Sequence, residues 1–349
     1  MLEVMISGSP FEIGLQHGQV HALAIRSSFK KHCLDGRLSP GLQDKVLEAL
    51  IEQVEIHLPD LVEEAKGIAQ GAGLSSYKQI MQLTFWQELE ALRSSCTLIG
   101  FAFSESGPVV GKTVDTEMSQ KEDALLQIVY PSKGYNFIGV GKLGTSNIEV
   151  GINEKGLSVA QSSAMCVDGD TGGVSRLLVL RSVLQYCSTT EESIKMLSAY
   201  RLAKLGQSVL LADAQGDVAI VEMAARKQLV RRPYNGVIYA TNFYLIEEMA
   251  KLSDPDVWYY QNALKRLENL KMTLESGSLV LSVDFMRKIL RSHTDPGAIC
   301  QHGKDIDLNT FCACLLLPRE KKIFATHGHP CQNDFIEYVF LANPLSKDV

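Results

Sequence analysis

The chain has 349 residues, 46% hydrophobic and 21% charged, enough apolar material to bury a large core without disulfide or metal staples. A net charge of −6 and a pI near 5.8 provide no basic face for nucleic acid or an anionic membrane. No uncharged apolar run approaches the roughly 18 residues that span a bilayer. Met1 to Gly8 carries neither the basic nor the apolar region of a secretory signal, so the eight scattered cysteines are expected as reduced thiols of a cytoplasmic protein.

Ser9-Pro10-Phe11-Glu12 has the form of a capping box with proline at the first helical position, and predicts a helix to about Cys33. Gly14 and Gly18 inside that helix cost about 1 kcal/mol each against alanine, a cost that close packing against another element would justify. Further helices are expected over 41–57, 59–71 and 75–91, so the first 92 residues read as helical with no strand. From Cys96 the apolar period changes to two. Strands are expected at 97–103 and 108–114 about the turn Ser104-Glu105-Ser106-Gly107, then at 124–130, 135–141, 147–152 and 157–162. Helices follow over 174–186 and 190–201, then strands at 207–213, 217–223, 227–231 and 236–241. Helices at 256–271 and 282–291 precede a last hairpin, 310–317 and 322–326. This order predicts an α+β fold in which two antiparallel sheets pack face to face with helices outside.

The first hairpin folds Cys96 and Asp115 together and so is expected to set a thiol and a carboxylate side by side. A cysteine at a strand start is by itself a small buried hydrophobe. Here Ser94, Ser95 and Thr97 leave the peptide before it sterically open, and the helix-to-strand switch falls at that bond. Asn242 follows the apolar strand 236–241, where its amide could serve a tetrahedral oxyanion or cap a turn. Lys112 is a candidate cation, although strand alternation sends 112 and 115 to opposite faces. A rival reading is a non-catalytic metal-binding protein, since Cys300, His302, Cys312, Cys314, His327, His329 and Cys331 crowd the last 50 residues. Their spacing departs from the C-x2-4-C of structural zinc, and Cys312-Ala313-Cys314 lies in an apolar run, so no metal is assigned.

Several stretches together resemble the isopenicillin N acyltransferase family of N-terminal-nucleophile (Ntn) hydrolases. They are Gly8-Ser9-Pro10-Phe11-Glu12-Ile13-Gly14-Leu15-Gln16-His17-Gly18, Arg93-Ser94-Ser95-Cys96-Thr97, Val114-Asp115, Val150 to Leu157, Ala240-Thr241-Asn242-Phe243 and His327-Gly328-His329-Pro330. The chain is more distantly similar to the bile-salt hydrolase and penicillin V acylase branch. The resemblance implies a four-layer αββα sandwich and self-cleavage between Ser95 and Cys96. A helical segment 1–95 would then stay bound to a catalytic domain 96–349. It further implies that Cys96 becomes the N-terminal nucleophile, with Asp115 orienting its amine and Asn242 steadying the oxyanion. Arg93, Thr97 and Lys112 are the candidate supports.

The expected activity is hydrolysis of a linear amide through acyl-Cys96, with acyl-CoA-dependent N-acyl transfer as the alternative. No cofactor is expected; the partner is a small amide or thioester, and homo-oligomerisation is left open. Two departures stand out. The Ser-Ile-Cys-Arg of relatives reads Ala298-Ile299-Cys300-Gln301 here, and no arginine lies between Arg291 and Arg319, so the cation near the nucleophile is unassigned. Ser95 also precedes the nucleophile where acyltransferase relatives commonly carry glycine.

Overall fold

A computed structural model describes residues 1–34, 40–86, 94–117, 123–169, 172–203, 205–275, 279–304 and 306–341. Strand β1 (Leu2–Gly8) is followed by helices α1 (Pro10–Val20), α2 (Ala22–Phe29), α3 (Pro40–His57), α4 (Pro59–Ala72) and α5 (Tyr77–Thr84). Strands β2 (Ser94–Phe101) to β7 (Ser158–Met165) come next, with β3 at Val109–Thr116, β4 at Ala124–Pro131, β5 at Phe137–Lys142 and β6 at Ile148–Asn153. After α6 (Arg176–Tyr186) and α7 (Thr190–Ser198) lie β8 (Leu205–Ala212), β9 (Val218–Met223), β10 (Gln228–Arg231) and β11 (Val237–Ala240). The chain then adds α8 (Glu247–Ala250), α9 (Tyr260–Leu274), α10 (Val283–Leu290), β12 (Asn309–Leu317), β13 (Lys322–Ala325) and β14 (Ile336–Tyr338).

Two sheets result, one of eight strands in the order β1-β4-β5-β6-β7-β8-β9-β10 and one of six in the order β11-β2-β3-β12-β13-β14. Their inner faces make a single core, in which Leu98, Val110, Val114 and Cys314 meet Leu126, Ile138, Val150, Ala160 and Leu210. The outer face of the large sheet (Val129, Phe137, Val159, Val209) is covered by Leu177, Leu180 and Leu184 of α6. That of the smaller sheet (Ile99, Phe101, Val109, Leu315) is covered by Ala263, Leu267 and Leu270 of α9 and by Met286 and Leu290 of α10. The expected αββα sandwich is what forms, because alternating apolar strands bury both sheet faces only when helices close the outside.

Three expectations need correction. Residues 2–8 are not helical but a strand, parallel to β4, so the large sheet is mixed and not wholly antiparallel. The alternation is visible in hindsight, since Val4 and Ile6 are buried between more exposed neighbours, but it spans too few residues to stand out. The first helix does not run unbroken to Cys33: it breaks at His21, and α2 ends in a π turn over Lys30–Leu34. The short edge strand β14 was not expected at all. Arg93, and the last turn of the helix expected over 75–91, lie outside the described residues. Among the described residues, no helix is long and apolar enough to cross a membrane.

The Ser9-to-Gly18 motif acts in the architecture. Ser9 and Glu12 cap α1 reciprocally as the sequence predicts. Gly14 and Gly18 lie on the backbone of α4 so closely that a Cβ would come within 2.0 Å of the Glu64 carbonyl and 2.4 Å of the Ile68 carbonyl. Gly67 and Gly71 of α4 meet α1 in the same way, so only glycine allows this approach. Gln16 pairs with both backbone groups of Ser7, at 3.2 Å and 2.7 Å, and fixes β1 against α1.

His17 is fully buried and its Nε2 accepts the Gly144 N–H at 3.1 Å. Burial, aided by His21, pushes its pKa from 6.5 down to about 3. The unfolded chain therefore binds a proton that the folded chain refuses in that interval. The stabilisation is complete above pH 6.5 and is lost at up to about 1.4 kcal/mol per unit as pH falls toward 3. Urea titrations should show about 2 kcal/mol more loss between pH 7 and pH 5 in the parent than in His17→Gln, which keeps an acceptor but cannot ionise. Equal pH slopes would remove His17 as the acid-sensitive group.

Candidate active site

Cys96 is the third residue of β2 and is fully buried. The β2–β3 register sets Cys96 opposite Val114, Ser95 opposite Asp115 and Leu98 opposite Lys112. Directly paired residues share a face, so the thiol and the carboxylate are not side by side as the hairpin argument expected. Cys96 and Lys112 point into the space between the sheets, whereas Asp115 points with Ser95 and Thr97 toward the α9 layer. The alternation that separates 112 from 115 thus puts Lys112 on the thiol's side.

Lys112 is fully buried, and its ammonium donates to the Gln161 carbonyl at 2.6 Å and reaches a Glu149 carboxylate oxygen at 3.4 Å. Burial pushes the Cys96 thiol up, and the positive charge of Lys112 is the largest influence opposing that. Burial also pushes the Glu149 carboxyl up, but Lys112, Lys142 and Arg176 outweigh it and hold the group below its ordinary value. The Lys112–Glu149 pair is embedded between the sheets, with both side chains buried.

On the other face, Asp115 accepts from Thr310 Oγ1 at 2.5 Å, Gln301 Nε2 at 2.9 Å and Thr113 Oγ1 at 3.2 Å. Burial raises its pKa, opposed first by the charge of Arg266 and then by these three donors. Thr113 Oγ1 also accepts the Thr97 N–H at 3.2 Å, which links Asp115 to the backbone just after Cys96. Gln301 stands where the resemblance leads one to expect an arginine, and supplies a neutral donor there.

A second cation beside Cys96 is Arg266, from the middle of α9. Its Nε donates to Asn262 Oδ1 at 2.9 Å and one terminal nitrogen donates to the Cys96 carbonyl at 2.6 Å and to Thr97 Oγ1 at 2.8 Å. The other donates to Asn242 Oδ1 at 2.8 Å and to Ser95 Oγ. All five N–H groups of the guanidinium are therefore used, which is how a fully buried arginine is tolerated. A signal for it was present: Ala263, Leu267, Leu270 and Leu274 mark the buried stripe of α9, and a charged residue at 266 falls on that stripe.

Asn242 follows β11, the edge strand beside β2. Its Oδ1 accepts the Cys96 N–H at 3.1 Å and the Ser95 hydroxyl at 2.6 Å, while its Nδ2 donates to Ser162 Oγ at 3.1 Å and the Ser163 carbonyl at 3.0 Å. The donors from Cys96 and Arg266 fix which end is oxygen. In the intact chain, then, Asn242 presents its oxygen to Cys96 and spends its amide hydrogens on β7. The structure brings Ser95, Cys96, Thr97, Asp115 and Asn242 together around one peptide bond, adds Arg266, Gln301 and Thr310, and sets Lys112 beneath it. The chemistry available is a buried thiol with a cation on its own face, next to a backbone nitrogen already held by a side-chain acceptor.

Residues 103–332 match the family described as acyl-coenzyme A:6-aminopenicillanic acid acyl-transferase, a stretch that contains Lys112, Asp115, Asn242 and Arg266 and begins just beyond Cys96. An uncharacterized protein of Archaeoglobus fulgidus is 24% identical in an alignment 265 residues long that covers 65% of this chain and only 44% of that protein's length. Among solved structures, the Caenorhabditis elegans ortholog of N-acylethanolamine-hydrolyzing acid amidase aligns over 64% of this chain and 93% of its own, at 15% identity and a TM-score of 0.44. A variant of the conjugated bile acid hydrolase of Clostridium perfringens aligns over 70% and 97%, at 13% identity and a TM-score of 0.44. Penicillin V acylase of Agrobacterium tumefaciens aligns over 66% and 83%, at 15% identity and a TM-score of 0.41. Since the family match covers well over half of its residues, the chain belongs to the acyl-coenzyme A:6-aminopenicillanic acid acyl-transferase family.

Proposed function

We propose that the chain is a self-processing cysteine amidohydrolase of the N-terminal-nucleophile type, made of a retained segment 1–95 and a catalytic domain 96–349. One observation carries the reading: the Cys96 N–H is held at 3.1 Å by Asn242 Oδ1, and that oxygen is itself fixed by Arg266. The nitrogen that cleavage would free as an amine is thus positioned before cleavage occurs. In processing, Cys96 Sγ attacks the Ser95 carbonyl carbon, the C–S bond forms, the C–N bond breaks, and the thiol proton ends on the new amine. Water then hydrolyses the thioester, leaving the Ser95 carboxylate and a free Cys96 thiol.

The freed amine has a reference pKa of roughly 7.7–8.0, so a useful fraction is neutral near pH 7 and can take the thiol proton. The thiolate attacks a substrate carbonyl, the amide C–N bond breaks as acyl-Cys96 forms, and the proton passes to the leaving amine. Water completes hydrolysis. Lys112, on the thiol's face, favours the thiolate, while Asp115 and its three donors orient the amine side with Thr97 as a link through Arg266. Asn242 serves the substrate oxyanion once cleavage has freed the site to rearrange.

Hydrolysis is preferred because water is always present and the sequence shows no coenzyme A signature. The family's description favours the second reading, transfer of the acyl group to an acceptor amine. Burst kinetics with and without an added amine separate the two, since only transfer consumes the amine in proportion to product.

Intact mass and N-terminal sequencing of purified protein test processing directly. The expected result is two pieces, one ending at Ser95 and one beginning at Cys96, with Cys96→Ala remaining a single full-length chain. Both pieces should co-elute in native size-exclusion chromatography, because Ile25, Leu61, Ile68 and Phe85 share one core with Leu143 and Leu178, and β1 is paired along β4. A wild-type chain that turns over amides without being cleaved would sink the reading.

A further inference from the structure

We infer that His293, Cys300, His302 and Cys331 form a structural zinc site that braces the Asp115 side of the active centre. The four residues come from three separate stretches: His293 follows α10, Cys300 and His302 precede β12, and Cys331 follows β13. Their ligand atoms all lie within 4.8 Å of one another. The two sulfurs are 3.6 Å apart, the two imidazole Nε2 atoms 3.1 Å, and His302 Nε2 lies 3.6 Å from Cys300 Sγ and 3.2 Å from Cys331 Sγ. A tetrahedron with zinc–sulfur bonds of about 2.3 Å and zinc–nitrogen bonds of about 2.0–2.1 Å has edges of about 3.3–3.8 Å. The two separations of 3.6 Å lie in that range, those of 3.1 Å and 3.2 Å fall just below it, and no pair exceeds 4.8 Å, so one zinc ion fits with a small adjustment of the histidines.

The sequence alone could not select this set. Of the seven histidines and cysteines crowding the C-terminal stretch, the fold gathers only Cys300, His302 and Cys331 and brings His293 from outside it. Cys312 and Cys314 pair with each other inside the sandwich core at 3.6 Å, and His327 bonds Tyr338 at 2.8 Å. His329 contributes by stacking on the His302 ring, 4.0 Å between centroids, which fixes the plane of that ligand. Two thiolates and two neutral imidazoles neutralise a zinc dication, and four protein ligands leave no open position, so the site is structural and not catalytic.

Its consequence lies at Gln301, held between two of the ligands. Gln301 Nε2 donates to Asp115 at 2.9 Å, and its Oε1 accepts from Asn262, which in turn holds Arg266. A zinc ion that clips Cys300 and His302 to Cys331 would fix Gln301, a neutral side chain that touches both the carboxylate and the arginine's partner.

The test uses the full chain, purified with reductant and without chelator. Elemental analysis should find about one zinc per chain, and cobalt exchange should give the intense sulfur-to-cobalt absorption of a tetrahedral thiolate site. Cys331→Ser, at a partly exposed position, should lower bound metal about ten-fold or more, while Cys314→Ser leaves it unchanged. A cobalt spectrum without the thiolate band would overturn the proposal even if a variant misfolds. So would metal retained in full by Cys331→Ser, or a Cys300–Cys331 disulfide, two hydrogens lighter by mass, in place of metal.

Discussion

Arg266→Met should lose about 3–5 kcal/mol of folding stability and should not be processed at the Ser95–Cys96 bond. The guanidinium is fully buried, and methionine fills much of its volume but supplies none of its five hydrogen bonds. Asp115 would then be a buried carboxylate with no cation facing it from α9. Burial already raises its pKa against the pull of Arg266, so removing that pull should raise it further. Denaturant titration of the Cys96→Ala background, in which neither chain is cleaved, measures the stability term cleanly. Arg266→Lys separates charge from geometry, since it keeps one positive charge but cannot reach Cys96, Thr97, Ser95, Asn242 and Asn262 at once. It should fold better than the methionine variant and still cleave slowly. If Arg266→Met folds within about 0.5 kcal/mol of its parent and cleaves at the parent rate, Arg266 is not what holds this site together.

Asn242→Asp should give a chain that is still cleaved but whose kcat is lower by roughly 10²–10³. The substitution keeps an acceptor for the Cys96 N–H, the Ser95 hydroxyl and Arg266, which are the bonds that position the scissile peptide. Ser162 can reverse its hydroxyl toward the new carboxylate, and only the Ser163 carbonyl loses its donor. What disappears is the Nδ2–H group that the proposed mechanism assigns to the substrate oxyanion. Asn242→Ala removes both ends and should impair cleavage as well as turnover. The two variants therefore distinguish an acceptor role in processing from a donor role in turnover. Normal kcat in Asn242→Asp would show that the oxyanion is served by another group, and a change confined to KM would make Asn242 a binding residue.

The layer order was legible because alternation and helical spacing are local. Strands at 124–130 and 147–152 and helices at 59–71 and 282–291 needed only their own residues to announce themselves, and each lies within two residues of its expected bounds at either end. The capping box at Ser9 was equally local, and the glycines of α1 correctly signalled a close helix contact, although only the structure names α4 as the partner. Strand β1 was missed because a seven-residue strand beside a strongly capped helix has little periodicity of its own. Its place is set by parallel pairing with residues more than a hundred positions away.

The sequence by itself determined that Cys96 lies near the start of a strand, that Asp115 lies near the end of the next one, and that an asparagine follows the strand at 236–241. Those are statements about single segments, and they depend on local patterns that any fold would have to respect. The side-by-side thiol and carboxylate did not survive, because pairing Ser95 with Asp115 sends Cys96 to the opposite face, and register is a property of two strands together. Arg266 and Gln301 joined the site, and His293 joined Cys300, His302 and Cys331, only through tertiary structure. Each is brought in by a helix or loop far away in the chain, where nothing in the neighbouring residues records which buried charge or thiol it will meet. Tertiary structure decides such contacts because a buried polar group is stable only where partners converge on it from several elements at once.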